Sequence, residues 1–330
     1  MTGAGRAPGA VPERPLLAPW LEPVADGDRI VFRRGEEAVV LGGAAVRGLL
    51  PSLLPLLDGS RSVAALCDAF GSAVAPAVHN ALEVLAQKEL LVEGPSLAGT
   101  PAASARQALL AAGVGLAGGV PSRALAALTG STVVVAGDGA CALLAAALVE
   151  AAGAQVELLA ADRLAEHLRE SGPAHLVIVT RDDPHTLDRA NEELLALGQP
   201  WLPVHGLDGF QALVGPIVVP GGTACYSCLR ARRGAAGGFG DAWEATERAH
   251  PLALGPAATA VVAGVAAQVA ACALVDGIGV AVPAGVMWAI DLVPEVTVSS
   301  HVVHRVPRCP VCSRLECSAA LLPWAAGEGA

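Results

Sequence analysis

The sequence predicts a two-domain α/β protein: a small winged helix-turn-helix domain, then a doubly wound, mostly parallel sheet. Three observations predict it. Three short β-branched runs precede three helical patterns in the first 95 residues; strands alternate with helices from Ser131 onward; and two Cys-x-x-Cys pairs stand 80 residues apart in the second half.

In the first domain, residues 19–24, 29–33 and 37–41 are strand-like runs separated by Asp26-Gly27 and Arg34-Gly35-Glu36, which reads as a meander. Val46, Leu49, Leu50, Leu53, Leu54 and Leu57 then recur at helical spacing, with Pro51 and Pro55 forcing a kink or an early stop. Ser62 is suited to cap a second helix through Phe70. Val78, Leu82, Leu85 and Glu89 form one stripe of a third, and Leu90-Leu91-Val92 returns as a strand. Glycine, proline, alanine and serine dominate residues 94–103, so domain boundaries of 1–95 and 121–330 are expected, joined by a linker at 96–120.

The second domain opens on an apolar strand at 131–136, then Gly137-Asp138-Gly139-Ala140-Cys141-Ala142 and an apolar helix to about Ala152. Strand-like runs at 155–160 and 176–180, with a helical segment between them, continue the βαβ alternation of a parallel sheet. The longest apolar stretch, 257–275, is mostly alanine, glycine and valine, has Gln268 at its middle, and lacks an aromatic belt. It is expected to be a buried or dimer-interface helix, not a membrane span.

Composition narrows the function classes. Hydrophobic residues make up 53% and charged residues 16% of 330 residues, which excludes wholesale disorder. A net charge of -10, with Lys88 the one lysine, offers no basic field for a nucleic acid, so the winged-helix pattern is not expected to bind DNA. No apolar stretch of signal-peptide length follows the first residues, and a cytoplasmic, reducing setting is expected.

In such a setting the pairs Cys225/Cys228 and Cys309/Cys312 read as a four-thiolate zinc site, because each turn presents two sulfurs to one tetrahedral ion. Four thiolates leave no open coordination position, so the zinc is expected to be structural. A redox Cys-x-x-Cys is the rival reading, although one pair would suffice for it. Cys67, Cys141, Cys272 and Cys317 stand singly in apolar surroundings and read as small hydrophobes. His301 and His304 lie in a strand-like run, where residues three apart face opposite sides, so no shared metal is expected there. The Gly137 to Ala142 turn resembles G-x-G-x-x-G with alanine in the last place. It fits either a nucleotide-binding turn or a tight turn without a ligand, and Asp138 would repel an anion.

Residues 215–230, GPIVVPGGTACYSCLR, with Arg189-Ala190-Asn191 upstream and Cys309 to Cys312 downstream, resemble the zinc-bearing half of the E1-like, ThiF-type fold over roughly residues 121–320. More narrowly the chain resembles the ocin-ThiF-like branch, partner proteins of YcaO cyclodehydratases in azole-forming and thiopeptide pathways. Residues 56–63, LLDGSRSV, and the stretch 82–91 resemble a PqqD-like recognition element for ribosomally made precursor peptides.

The resemblance implies that a precursor leader adds as a strand beside residues 37–41. Val39, Val40 and Leu41 would then line a groove opposite His79, Leu82, Glu83 and Ala86. It also implies a degenerate nucleotide site near Gly137, Gly139, Asp162, Asp183 and Arg189, with Asp182 a further partial match and no lysine for the phosphates. A non-catalytic scaffold using structural zinc but not ATP is therefore expected, serving a separate YcaO cyclodehydratase. A homodimer is a possible state in this fold family. The alternative is an active ATP-dependent adenylating enzyme.

Overall fold

A computed structural model describes residues 9–18, 21–34, 37–94, 100–208, 210–237, 254–278 and 284–314, together with 242 and 245. Cys317 lies outside them. The chain forms two compact units, Met1–Leu128 and Thr129–Ala330. The expected division is 1–95 and 121–330 joined by a linker at 96–120; the observed one follows Leu128, so the expected linker and residues 121–128 are grouped with the first unit.

In the first unit, β2 (Glu22–Asp26), β3 (Arg29–Arg34) and β4 (Glu37–Gly42) form an antiparallel meander in the order β2-β3-β4. The expected runs are present with their turns. Three helices follow: α1 (Ala44–Leu53), α2 (Val63–Phe70) and α3 (Ala75–Gln87). Pro51 is accommodated inside α1, and the chain tightens into a 3-10 turn at Leu54–Leu56. Ser62 caps α2 as expected, its hydroxyl accepting from the Ala65 N–H at 3.2 Å.

The stripe on α3 buries Val78, Leu82, Leu85 and Ala86 with Phe32, Leu53 and Leu66 in one core. The returning strand β5 (Leu91–Glu93) pairs antiparallel with β1 (Pro15–Leu17), a partner that no local pattern announces. Their closure brings backbones together: a side chain on Gly94 would meet the Gly59 carbonyl at 2.5 Å. Helices α4 (Ala102–Gly113) and α5 (Pro121–Thr129) complete this part of the chain.

In the second unit seven strands lie in the order β12-β11-β10-β9-β8-β6-β7. Strands β6 (Thr132–Ala136), β7 (Gln155–Leu159), β8 (Leu176–Thr180) and β9 (Trp201–Asp208) are parallel. Strands β10 (Gln211–Val214), β11 (Val286–Asp291) and β12 (Thr297–Val302) continue it antiparallel. Every residue of β8 is buried, as a continuous apolar run requires when both faces are covered.

Helices α7 (Leu164–Ser171), α8 (Thr186–Ala196) and α9 (Tyr226–Gly237) contribute buried side chains to one core, and α6 (Ala140–Ala151) and α10 (Pro256–Asp276) to the other. The sheet is doubly wound, as the alternation predicts. Helix α10 is long and apolar enough to cross a membrane by length and composition. It packs against α6, β8, β9 and β10 and buries Val262, Ala266 and Ala270, the placement of a core helix.

Leu82 is fully buried, so it measures the first unit's core and not its surface. Leu82→Ala is expected to cost about 2–5 kcal/mol of unfolding free energy, read as a lower urea midpoint. An unchanged midpoint would show that the side chain has no packing role.

Candidate metal centre and cleft

The four paired cysteines come together. Cys225 immediately precedes α9 and Cys228 lies in its first turn, whose closure the Cys225 carbonyl begins by accepting from the Cys228 N–H. Cys309 and Cys312 bracket a turn beyond β12. All four sulfurs are buried and lie within 4.8 Å of one another, with contacts of 3.8 Å (Cys225–Cys228), 3.7 Å (Cys225–Cys309) and 3.5 Å (Cys228–Cys312). A tetrahedral ion with bonds of about 2.3 Å to sulfur separates its ligands by about 3.8 Å, so the donor set fits zinc.

The surrounding groups hold this arrangement. The Cys225 thiol and the Val306 N–H donate to the Cys228 sulfur, which draws that thiol down to about 4 and favours a thiolate. Arg305 donates to the Cys312 and Gly221 carbonyls, clamping the second turn. Asn191, fully buried on α8, accepts from the Tyr226 N–H at 3.0 Å and donates to Ser227, which fixes the start of α9. Arg230 on α9 grips both carboxylate oxygens of Asp188 at 2.7 and 2.8 Å.

A cleft of about 490 Å³ opens at the carboxyl ends of β6, β8 and β9. The expected glycine turn forms its floor. Gly137 has φ +148, and a Cβ there would lie 2.0 Å from the Thr180 hydroxyl and 2.8 Å from Asp182, so no other residue fits. The Asp138 N–H, where a nucleotide-binding turn presents a donor to phosphate, instead donates to Asp182 Oδ2 at 2.9 Å. Thr180 bonds the other oxygen at 3.3 Å. Burial, with Asp138 and Asp183 nearby, raises the Asp182 carboxyl above its usual range despite these bonds.

The remaining partial matches fall elsewhere. Asp162 is exposed on the turn after β7, and Asp183 pairs with Arg189 at 2.9 Å. None of these three lines the cleft among the described residues. Partial burial opposes ionisation of Asp183, but the His185 N–H and Arg189 outweigh it and hold the group at about 2.

Sequence reasoning missed Arg181 and His205. Arg181 follows the end of β8, a position that the rule for ligand sites at strand ends would have flagged; His205 lies within β9 and carries no such signal. It is buried, with Nε2–H donating to the Gly215 carbonyl at 3.2 Å, and its ring lies 5.5 Å from that of Tyr226. Burial and, after it, the Arg233 charge draw its pKa down to about 3, so it is neutral at pH 7. The cleft wall and the cysteine cluster thus meet through the contact of His205 with Tyr226, the neighbour of Cys225.

The residues expected to bind a peptide divide into three groups. Val39 and Leu41 are half-buried against the first unit's core, while Val40 is exposed on the other face of β4, as alternation requires. Leu82 and Ala86 are core residues on α3, so they are not open to a groove. His79 and Glu83 are exposed and paired at 3.4 Å. The outer edge of β4 has no partner strand among the described residues.

No protein-family model matches the chain, and no curated protein sequence matches it. Solved structures do. A heterocyclase in complex with substrate and cofactor is 22% identical with a TM-score of 0.65, covering 90% of this chain and 39% of that one. The heterocyclase TruD is 22% identical with a TM-score of 0.63, covering 91% and 43%. E. coli MccB with ATP is 15% identical with a TM-score of 0.60, covering 90% and 99%. The microcin C7 biosynthetic enzyme MccB is also known in complex with N-formylated MccA. The fold is E1-like. The expected α/β architecture with a parallel-rich sheet and a four-cysteine cluster is borne out, and the chain spans about two fifths of the length of the two heterocyclase chains.

Two predictions follow from this geometry. Purified protein should hold about one zinc per chain by mass spectrometry, and Cys225→Ala or Cys309→Ala should lose it and lower Tm by roughly 10 °C or more. A stable, metal-free protein would contradict this. Separately, His205 binds its proton near pH 3 in the folded chain and near 6.5 in the unfolded one. The unfolded state therefore holds more protons between these values, and stability falls as pH drops from about 6.5 toward 3. His205→Gln should flatten that slope relative to wild type in urea titrations at pH 6 and pH 4; equal slopes would count against it.

Proposed function

We propose that the chain is a non-catalytic scaffold that captures the leader of a ribosomally made precursor peptide. It presents the peptide to a YcaO-type cyclodehydratase for azoline or azole formation, in a thiopeptide-type pathway. The observation that carries the reading is the Asp182 carboxylate seated on the glycine turn. A triphosphate there would have to displace an internal anion from the Asp138 N–H while facing Asp138 itself. Arg181 is the only cationic side chain among the described cleft residues, and the single lysine, Lys88, is in the first unit. Phosphoryl chemistry depends on cations that neutralise developing charge, and this cleft supplies few.

Leader capture rests on the outer edge of β4, which has no partner strand among the described residues. An extended peptide there completes the ladder of N–H and C=O groups, while Val39, Leu41, His79 and Glu83 supply selectivity. The similarity to the heterocyclases supports the pathway. It also takes in part of the first unit, because residues 129–330 alone make up much less than the 90% of the chain that is matched.

A second reading has its own support. The cleft lies where α/β sheets bind small molecules, its volume is in the usual range of about 300–1,000 Å³, and MccB, solved with ATP, is matched over 99% of its length. In that reading the chain is an ATP-dependent adenylating enzyme.

Two measurements separate these readings. Removing residues 1–95 should weaken binding of a labelled precursor leader at least tenfold in fluorescence anisotropy and abolish heterocyclisation by the partner; undiminished heterocyclisation would sink the scaffold reading. ATP–pyrophosphate exchange should be absent with the purified chain plus precursor, and robust exchange would favour the enzyme.

A further inference from the structure

The meander of the first unit has two faces, and its register assigns each residue to one of them. Ile30 and Phe32 of β3 are buried in the core, with Val39 and Leu41 of β4 packed against it. The other face reads across β2, β3 and β4 as three rows: Glu22–Arg33–Ala38, Val24–Val31–Val40 and Asp26–Arg29–Gly42. Val24 and Val40 are each 52% exposed, and Arg29, Arg33, Ala38 and Gly42 are exposed as well.

The outer rows are lopsided. On the β2 side Glu22 and Asp26 stand opposite Arg33 and Arg29, whereas on the β4 side the same arginines face Ala38 and Gly42, which bring no charge and little bulk. Arg29 has Asp28 at 3.8 Å, an exposed pair of small worth. Its stem already lies over the edge strand, with Cγ 3.6 Å from the place a Gly42 Cβ would take. A strand added to β4 lengthens every row by one residue, whichever way it runs, because side chains alternate and keep to their faces. The residue beside Val40 continues the valine row. Those two places before and after it sit beside Ala38 and Gly42, about 10 Å from the β3 backbone and within the joint reach of an arginine and a carboxylate side chain. The residues between turn inward, beside Val39 and Leu41.

We infer that the β4 edge selects a peptide with the five-residue pattern acidic, apolar, apolar, apolar, acidic. The central residue packs on Val40, and the two carboxylates pair with Arg33 across Ala38 and with Arg29 across Gly42. This rests on the proposed reading of β4 as the capture edge and adds the sequence class that the edge takes. The pattern is the same in both directions, so it holds for parallel and antiparallel addition alike. Cross-strand apolar and opposite-charge pairs are the interactions by which one strand recognises the next, and here both kinds end at the open edge.

The test uses the full chain and a fluorescein-labelled peptide with Glu-Leu-Val-Leu-Glu at its centre, compared in fluorescence anisotropy at low ionic strength with the same peptide carrying lysine for both glutamates. The acidic peptide should bind at least fivefold more tightly, and added salt should shrink the difference. Arg29→Gln together with Arg33→Gln should abolish the preference. Val40→Asp should weaken binding of the acidic peptide at least fivefold, whereas Val24→Asp, equally exposed on the same face but two strands from the edge, should not. No binding of the acidic peptide, equal affinity for both peptides, a preference indifferent to the arginine changes, or equal losses at Val24 and Val40 would each overturn the inference. Any of these results alongside capture of the natural leader overturns the inference alone, because the scaffold reading is tested by leader binding and heterocyclisation.

Discussion

The four-sulfur cluster is the constraint on which the second unit depends. Between Cys228 and Cys309 the chain builds α10, β11 and β12, and their antiparallel continuation of the sheet has its far end returned to the start of α9. The burial of all four cysteines makes the cluster part of the core that contains Leu187, Leu194 and Trp201. Four thiols packed at these distances cannot all ionise without a cation among them. A bound ion would therefore turn a destabilising concentration of buried sulfur into a cross-link between segments more than 80 residues apart in sequence. Closing so long a loop costs only slightly more entropy than closing a short one, which is why one such site suffices.

From that anchor the order extends to the cleft. Tyr226 is held between Cys225 and the Asn191 amide, and its ring packs against His205 and Trp201. His205 is neutral because of where it is buried, and its single ring proton is committed to the Gly215 carbonyl. The wall of the cleft is thus fixed by the fold before any ligand arrives. On the opposite side the glycine turn is fixed by Asp182, and the same bond that makes the turn rigid consumes the donor that an anion would use. Rigidity and ligand binding compete for one N–H.

Much of this was legible in the sequence, and the exceptions have physical reasons. The Cys-x-x-Cys spacing, the apolar run of β8 and the Ser62 cap are local signals, and each element appeared where its pattern put it. The pairing of β1 with β5 joins residues about 75 apart, and no local pattern encodes a partner at that range. The assignment of Leu82 and Ala86 to a groove failed because helical periodicity identifies an apolar stripe without saying whether a core or a peptide covers it. Val40 lies between Val39 and Leu41 in sequence but on the opposite face, since a strand sends neighbours to opposite sides. The seating of Asp182 on the glycine turn joins residues 44 apart through a contact that composition cannot announce.

Two strand edges, at β4 and β12, have no partner strand among the described residues. Glu37 is exposed on β4 and the His79–Glu83 pair is exposed on α3, so in the proposed reading an added strand would meet ionisable groups that discriminate among sequences. The edge at β12 offers valines, small hydroxyls and one imidazole, with no acidic, lysine or arginine side chain between Val296 and His304. An unprotected edge in a water-exposed sheet invites aggregation unless something specific occupies it. In the proposed reading, selectivity at β4 comes from charge and pockets, because a leader is a different chain. The two edges thus differ in chemistry: charged side chains accompany β4, whereas β12 carries none besides the titratable His301.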